Sequence, residues 1–197
     1  MNPRGSVERD ERLRLFLALQ LPERVLDAVA AWQEERLPGV RAVPREHLHI
    51  TLAFLGHRPA GELDGILDAL RGAAGAAAPD IALAPTRYRE TRSVGMVVLS
   101  DAGDRAAGLA EDLHERLERL GVYRREGRPW LPHLTVARFR ERPQLRLEPP
   151  ETGTFVPSGA AAYLSRLQTG GARYDVLEAI GLGTENLGTS ERGIGGR

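Results

Sequence analysis

A chain of 197 residues with 42% hydrophobic content and 27 basic against 27 acidic side chains can bury a core without covalent staples. Zero net charge argues against coating long nucleic acid, which depends on phosphate neutralisation, but it allows a local pocket for one terminal phosphate. The chain has no cysteine and no lysine, which excludes disulfides, thiolate nucleophiles, cysteine-based zinc sites, Walker A loops, Schiff-base chemistry and ligation through a lysyl adenylate.

Residues 1–11 read as a disordered leader, charged and without the apolar run of a signal peptide. Residues 12–20 read as a strand. Pro22 then stands where a helix starts, and Val25, Leu26, Val29 and Trp32 recur at helical spacing up to Gly39. A second strand is expected over 47–55, stopping at Gly56. Pro59 opens a second helix, with Leu63, Ile66, Leu67 and Leu70 on one face. The Ala/Gly run 72–78 reads as its frayed end plus a loop. Strands follow at 81–89 and 94–99, then a helix over 101–120 with Leu109, Leu113, Leu117 and Leu120 on one stripe. Another strand is expected at 133–140, a proline-rich connection at 143–157, and a hairpin of 160–168 and 174–182 around Gly170-Gly171. Residues 183–197 read as a disordered tail. Alternating strands and helices together with hairpins favour an α+β fold over a doubly wound parallel sheet. No run approaches the ~18 apolar residues of a membrane span. The expectation is a cytoplasmic monomer of one domain, residues 12–182, with no membrane contact and no obligate protein partner.

Two of the five histidines sit in nearly the same local sequence: His49-Ile-Thr-Leu52 and His133-Leu-Thr-Val136, 84 residues apart (133 − 49). Alternate side chains of a strand share a face, so His49 goes with Thr51 and His133 with Thr135, opposite the apolar Leu48, Ile50, Leu52, Leu134 and Val136. Two strands of this kind bordering one cleft would supply two imidazoles and two hydroxyls. That set suits a cyclic phosphodiester: one imidazole takes a proton from water, the other gives one to the departing ribose oxygen, and the hydroxyls bind the non-bridging oxygens. No metal or cofactor is expected, because neither His-x-Thr has a third ligand at metal-binding spacing.

Other candidates carry weaker signals. His47 shares the face of His49 and reads as a strand-start residue, with a place at the cleft mouth as the alternative; His57 reads as a turn residue, with RNA contact as the alternative, and His114 as a surface residue of a charged helix. Alternation puts Arg138 on the core side unless a bulge or the strand end turns it toward phosphate. Trp130 and Phe16 are candidates for base stacking or for the core, as is Tyr163, and Arg128 for substrate contact. Arg87, Arg89 and Arg92 read as an exposed arginine edge, with guidance of an RNA end as the alternative.

Taken together, Glu46-His-Leu-His-Ile-Thr-Leu-Ala-Phe-Leu-Gly56, Arg128-Pro-Trp-Leu-Pro-His-Leu-Thr-Val-Ala-Arg138, the opening Leu15-Phe16-Leu-Ala18 with Pro22, and Tyr163-Leu-Ser-Arg-Leu167 with Gly171-Ala-Arg-Tyr174 resemble the two-histidine phosphoesterase superfamily. They are most similar to its RNA 2′,3′-cyclic phosphodiesterase branch, also called 2′-5′ RNA ligases. The resemblance implies a two-lobed, pseudo-symmetric α+β fold, with antiparallel sheets lining a central cleft and helices outside. It implies hydrolysis of 2′,3′-cyclic phosphate RNA ends to 2′-phosphates, and reversible 2′-5′ joining. The acid role is assigned to His49 and the base role to His133, the near-symmetry of the motifs leaving the reverse open. Leu131 stands where many members carry an arginine. A 2′-5′ oligonucleotide or small cyclic-nucleotide phosphodiesterase, or a nucleotide-binding module without catalysis, are the alternatives.

Overall fold

The structure, a computed structural model, describes residues 11–77, 80–169 and 171–183. The expected leader and tail lie outside the described residues except for Glu11 and Gly183. Among the described residues, eight strands form a single antiparallel sheet. β1 (Arg12–Gln20) leads into α1 (Glu23–Arg36), β2 (Arg41–Ala42) and β3 (Ile50–Pro59). Then come α2 (Leu63–Ala76), β4 (Leu83–Glu90), β5 (Val94–Asp101) and α3 (Arg105–Arg119). The chain closes with β6 (His133–Arg138), β7 (Gly159–Gln168) and β8 (Gly171–Ile180). The order across the sheet is β4-β5-β6-β3-β1-β7-β8, with β2 added beside β6.

The α+β class stands, and the two halves expected on either side of a cleft are parts of one sheet. They meet where β3 and β6 run side by side, with Ile50 opposite Leu134. Outside this junction, β6 pairs with β5 and β3 with β1. α2 and α3 pack together and cover the β3–β1–β7 side, while α1 lies toward β6. One apolar cluster runs through the described residues, from Leu17 and Ile50 to Leu113, Leu134 and Phe155. Burial of this apolar surface is the main driving term for the fold.

Several local expectations change. The 72–78 run is not a frayed end: α2 continues to Ala76, and Ala73 and Ala74 are buried. Its small side chains let α3 approach, and the Arg116 guanidinium lies over Gly72, where a Cβ would collide with it. Gly56 does not stop β3. Its φ of 66° absorbs a register shift opposite Leu15, and the strand runs on to Pro59, so His57 is a strand residue opposite Arg14 rather than a turn residue. Pro59 therefore ends a strand, and a short 3₁₀ turn (Ala60–Glu62) precedes α2. A similar turn (Ala102–Asp104) precedes α3, where the Asp101 carboxylate accepts the first free N–H groups, from Ala106 and Ala107. β6 stops at Arg138, two residues early.

His114 is not on the surface. It is 7% exposed, and its Nε2 lies 2.8 Å from the carbonyl oxygen of Leu52. The proline-rich connection is latched by the buried Glu90, whose carboxylate accepts from Arg142 and from the backbone N–H of Gln144 and Leu145. Among the described residues no helix is long and apolar enough to cross a membrane.

Candidate active site

His49 sits one residue ahead of β3, and His133 is the first residue of β6. Antiparallel pairing about Ile50–Leu134 puts His49 on the Thr135 side and Thr51 on the His133 side. All four polar side chains are half-buried, while Leu48, Ile50, Leu52, Leu134 and Val136 are buried, as alternation requires. The two imidazoles are held alike. His49 Nδ1 lies 2.7 Å from the carbonyl oxygen of His47, and His133 Nδ1 lies 2.8 Å from that of Leu131. A carbonyl only accepts, so each Nδ1 carries the hydrogen, and each neutral ring keeps its Nε2 lone pair for chemistry.

A cleft of about 990 Å³ opens over this junction. Its lining includes His49, Thr51 and Thr135; His133 lies outside the lining, close enough for its charge to act on His49. Among the described lining residues, four arginines (Arg14, Arg41, Arg138 and Arg173) face one carboxylate, Glu46. The zero net charge of the chain thus conceals a basic pocket, a setting made for a phosphate.

His49 is the perturbed group. Burial pushes its pKa down to about 4; the His47 carbonyl restores part of the loss, and the charges of His47, Arg138 and His133 lower it further. Behind it stands an aromatic cluster. Phe16 lies 4.8 Å from the His49 ring, stacks on Tyr163 at 4.8 Å and meets Tyr174 edge-on at 4.9 Å. Phe16 is 3% exposed, so it serves as a wall of the cleft more than as an open stacking platform. Tyr163 borders His49 at 6.1 Å through the same stack and is not among the lining residues.

Arg138 reaches the cleft because of a bulge. In the β5–β6 ladder Gly95 faces Ala137 and Met96 faces Thr135, which leaves Val136 as an extra residue. Val136 and Ala137 are both buried, and Arg138 comes out on the Thr135 side, against simple alternation. β3 does the same: Leu17 faces Ala53 and Ala18 faces Thr51, with Leu52 extra. Phe54 therefore emerges into the cleft at the position matching Arg138, with the Arg14 guanidinium 4.8 Å over its ring.

His47 stands in a short 3₁₀ turn (Arg45–His47) ahead of β3, not at the strand start, and lines the cleft; the remaining candidates fall elsewhere. Trp130 packs against the core, and its indole donates to the Thr51 carbonyl at 3.0 Å, tying the approach to one motif onto the backbone of the other. Arg128 is exposed and paired with Glu126, outside the cleft lining. Arg87 and Arg89 lie on the edge strand β4, also outside it. Sequence reasoning missed Phe54, Arg14, Arg41, Arg173 and Tyr174 as lining residues. Only Phe54 left a signal, standing five residues after its histidine as Arg138 does after His133. Among the described residues no three His, Cys, Asp or Glu side chains gather as metal ligands.

The sequence profile of the 2′-5′ RNA ligase superfamily matches residues 21–159, which spans both His-x-Thr motifs. The chain belongs to the 2′-5′ RNA ligase superfamily. Within it, a protein of Thermus thermophilus named RNA 2′,3′-cyclic phosphodiesterase is 35% identical, over 94% of this chain and 98% of its own length. A protein of the same name from Escherichia coli is 26% identical, over 85% and 96%. The superfamily fold is present in full: the crystal structure of TT0787 of Thermus thermophilus superposes with a TM-score of 0.71 at 32% identity, covering 88% of this chain and 100% of that one. E. coli LigT, crystallised with 3′-AMP, superposes at 0.76 and 24% identity over 88% and 100%, a likeness of fold.

Proposed function

We propose that this superfamily member hydrolyses RNA 2′,3′-cyclic phosphate ends to 2′-phosphates by passing protons between His49 and His133. The observation that carries this reading is the matched latch at Nδ1. Two imidazoles on neighbouring strands each have one nitrogen committed to the carbonyl two residues back, leaving both Nε2 atoms for one substrate. The relatives named RNA 2′,3′-cyclic phosphodiesterase support the same substrate class.

Water loses its proton to the basic imidazole as its oxygen bonds to phosphorus. The P–O3′ bond breaks, and the acidic imidazolium protonates O3′, leaving the phosphate on O2′. Thr51, Thr135 and Arg138 hold the non-bridging oxygens, where charge accumulates. A 5′-hydroxyl in place of water yields a 2′-5′ linkage by the same proton transfers, and no adenylated enzyme is required.

We keep the acid role for His49 and the base role for His133. In the free protein the depressed His49 is neutral at pH 7, the form suited to an acceptor. The acid role therefore requires the anionic substrate to raise it, its negative charge acting against the burial and the Arg138 charge that lower it. The setting that accompanies this reading is a cytoplasmic monomer acting on RNA ends.

The test is an RNA oligonucleotide ending in a 2′,3′-cyclic phosphate, incubated with chelator and with wild type, His49→Ala or His133→Ala. Wild type should form the 2′-phosphate end, and each variant should lose about 10²–10⁴-fold in rate. No conversion by folded wild type, or comparable rates in the variants, would overturn the reading.

A further inference from the structure

The two bulges that turn Phe54 and Arg138 into the cleft share a second feature. Each inserts its extra residue at the position right after the threonine: Leu52 in β3 and Val136 in β6. A bulge disrupts the ladder locally, and inside a core each backbone group at the break needs a firm hydrogen-bond partner. Here both carbonyls meet a buried side-chain donor from a helix, that of Val136 in addition to the backbone N–H of Val43. His114 of α3 approaches Leu52 O at 2.8 Å through Nε2, which must carry a hydrogen because the carbonyl only accepts. Gln33 of α1 donates from Nε2 to Val136 O at 2.7 Å and to Val43 O at 3.0 Å. Gln33 is 4% exposed and His114 7%. Each donor is far from its target along the chain, 62 residues away for His114 and 103 for Gln33.

We propose that Gln33 and His114 are paired positioning residues, one for each half of the active site, that hold the bulge after each His-x-Thr. Val136 O also accepts from Val43 N at 2.9 Å, so the Gln33 amide joins β6 to the segment that follows β2. In both halves the buried donor favours the bulged register over the regular one. A regular register would shift the following side chains by one residue and send Arg138 and Phe54 toward the core face. It would also move Thr51 and Thr135 relative to their imidazoles. Neither Gln33 nor His114 lines the cleft, so both act through the backbone they hold.

The kinetic readout rests on the cyclic-phosphodiesterase reading; a binding readout does not. Gln33→Met and His114→Phe remove the donors while keeping most of the side-chain volume. Assayed well below their measured Tm, both should lose roughly ten- to a hundredfold in kcat/KM. In double-mutant cycles the Gln33→Met loss should be largely absorbed by Arg138→Ala, and the His114→Phe loss by Thr51→Ala, because each pair acts on the same contact. His114→Gln, which installs the type of donor used in the other half, should recover most of the activity. Wild-type kcat/KM in the folded donor-less variants, losses that simply add to those of Arg138→Ala and Thr51→Ala, or a folded but inactive His114→Gln would overturn the proposal. The last of these also decides the matter if the donor-less variants do not fold.

If wild type turns over no cyclic phosphate, the functional reading fails alone. The clamps are then read by titrating inorganic phosphate and following the imidazole ¹H–¹⁵N resonances of His49 and His133. Weaker phosphate binding in the donor-less variants supports the clamp, and unchanged binding overturns it.

Discussion

His49 concentrates the electrostatics of the site, and its titration is directly observable. Its imidazole resonances should titrate with a midpoint about 4 in the free protein. The midpoint should move up when inorganic phosphate occupies the cleft, and up again in Arg138→Ala, since the Arg138 charge is one of the causes that lower it. A midpoint near the ordinary 6.5 in the free protein would contradict the buried setting described above. The same shift has a consequence for stability. The folded pKa lies below the unfolded one, so the unfolded chain binds the extra proton between them. The contribution of His49 is intact above about pH 6.5, declines as the pH falls toward about 4 and is constant below that, with a span of up to about 3 kcal/mol. His49→Phe should therefore lose less stability than wild type across that window in denaturant titrations. Equal losses would show that His49 is not desolvated. The identity and pairing of the catalytic candidates were readable from two four-residue motifs. The depressed pKa was not, because it arises from burial and from charges brought in by other strands.

At the scale of the element, alternation placed Leu48, Ile50, Leu52, Leu134 and Val136 in the core correctly and then failed just beyond each threonine. The failure has one cause in both motifs, an extra residue in the ladder. That irregularity depends on the partner strand and on side-chain donors from distant helices, so a local pattern cannot contain it. The expected end of β3 at Gly56 failed for a related reason, since a glycine with positive φ can carry a strand through a bulge as well as end it. Close packing between strands supplies a prediction of its own. A Cβ on Gly159 would lie 2.8 Å from the backbone oxygen of Ile180, where β7 meets β8. Backbone cannot rotate away, so Gly159→Ala should cost about 1–3 kcal/mol, seen as a lower Tm and a lower urea midpoint. A stability equal to wild type would mean that the β7–β8 pair separates there at no cost.

Across the molecule, the two motif-bearing halves share one sheet, and both helix layers clamp strands of the opposite part of the chain. α1 reaches β6 through Gln33, and α3 reaches β3 through His114. Such interlocking, with one continuous apolar cluster, should make unfolding cooperative. Trp32 lies in α1, and Trp130 precedes β6 with its indole on the backbone of β3. Fluorescence from these residues and far-UV circular dichroism should give coincident urea transitions. Two separated transitions would show that the halves are independent domains. The basic cleft within a neutral chain is a property of this same scale. Composition registered only the cancellation, and the fold brought four arginines around one opening.

The sequence by itself determined the repeated His-x-Thr pair, the apolar faces behind it, the α+β class and the chemistry that a chain without cysteine or lysine cannot perform. These are properties of residue type and of local periodicity, which a strand imposes on its own. The tertiary structure decided which side Arg138 and Phe54 face, how far His49 is desolvated, and that Gln33 and His114 hold the two bulges. Each of those depends on contacts between segments far apart in the chain, and such contacts exist only once the sheet has closed over its helices.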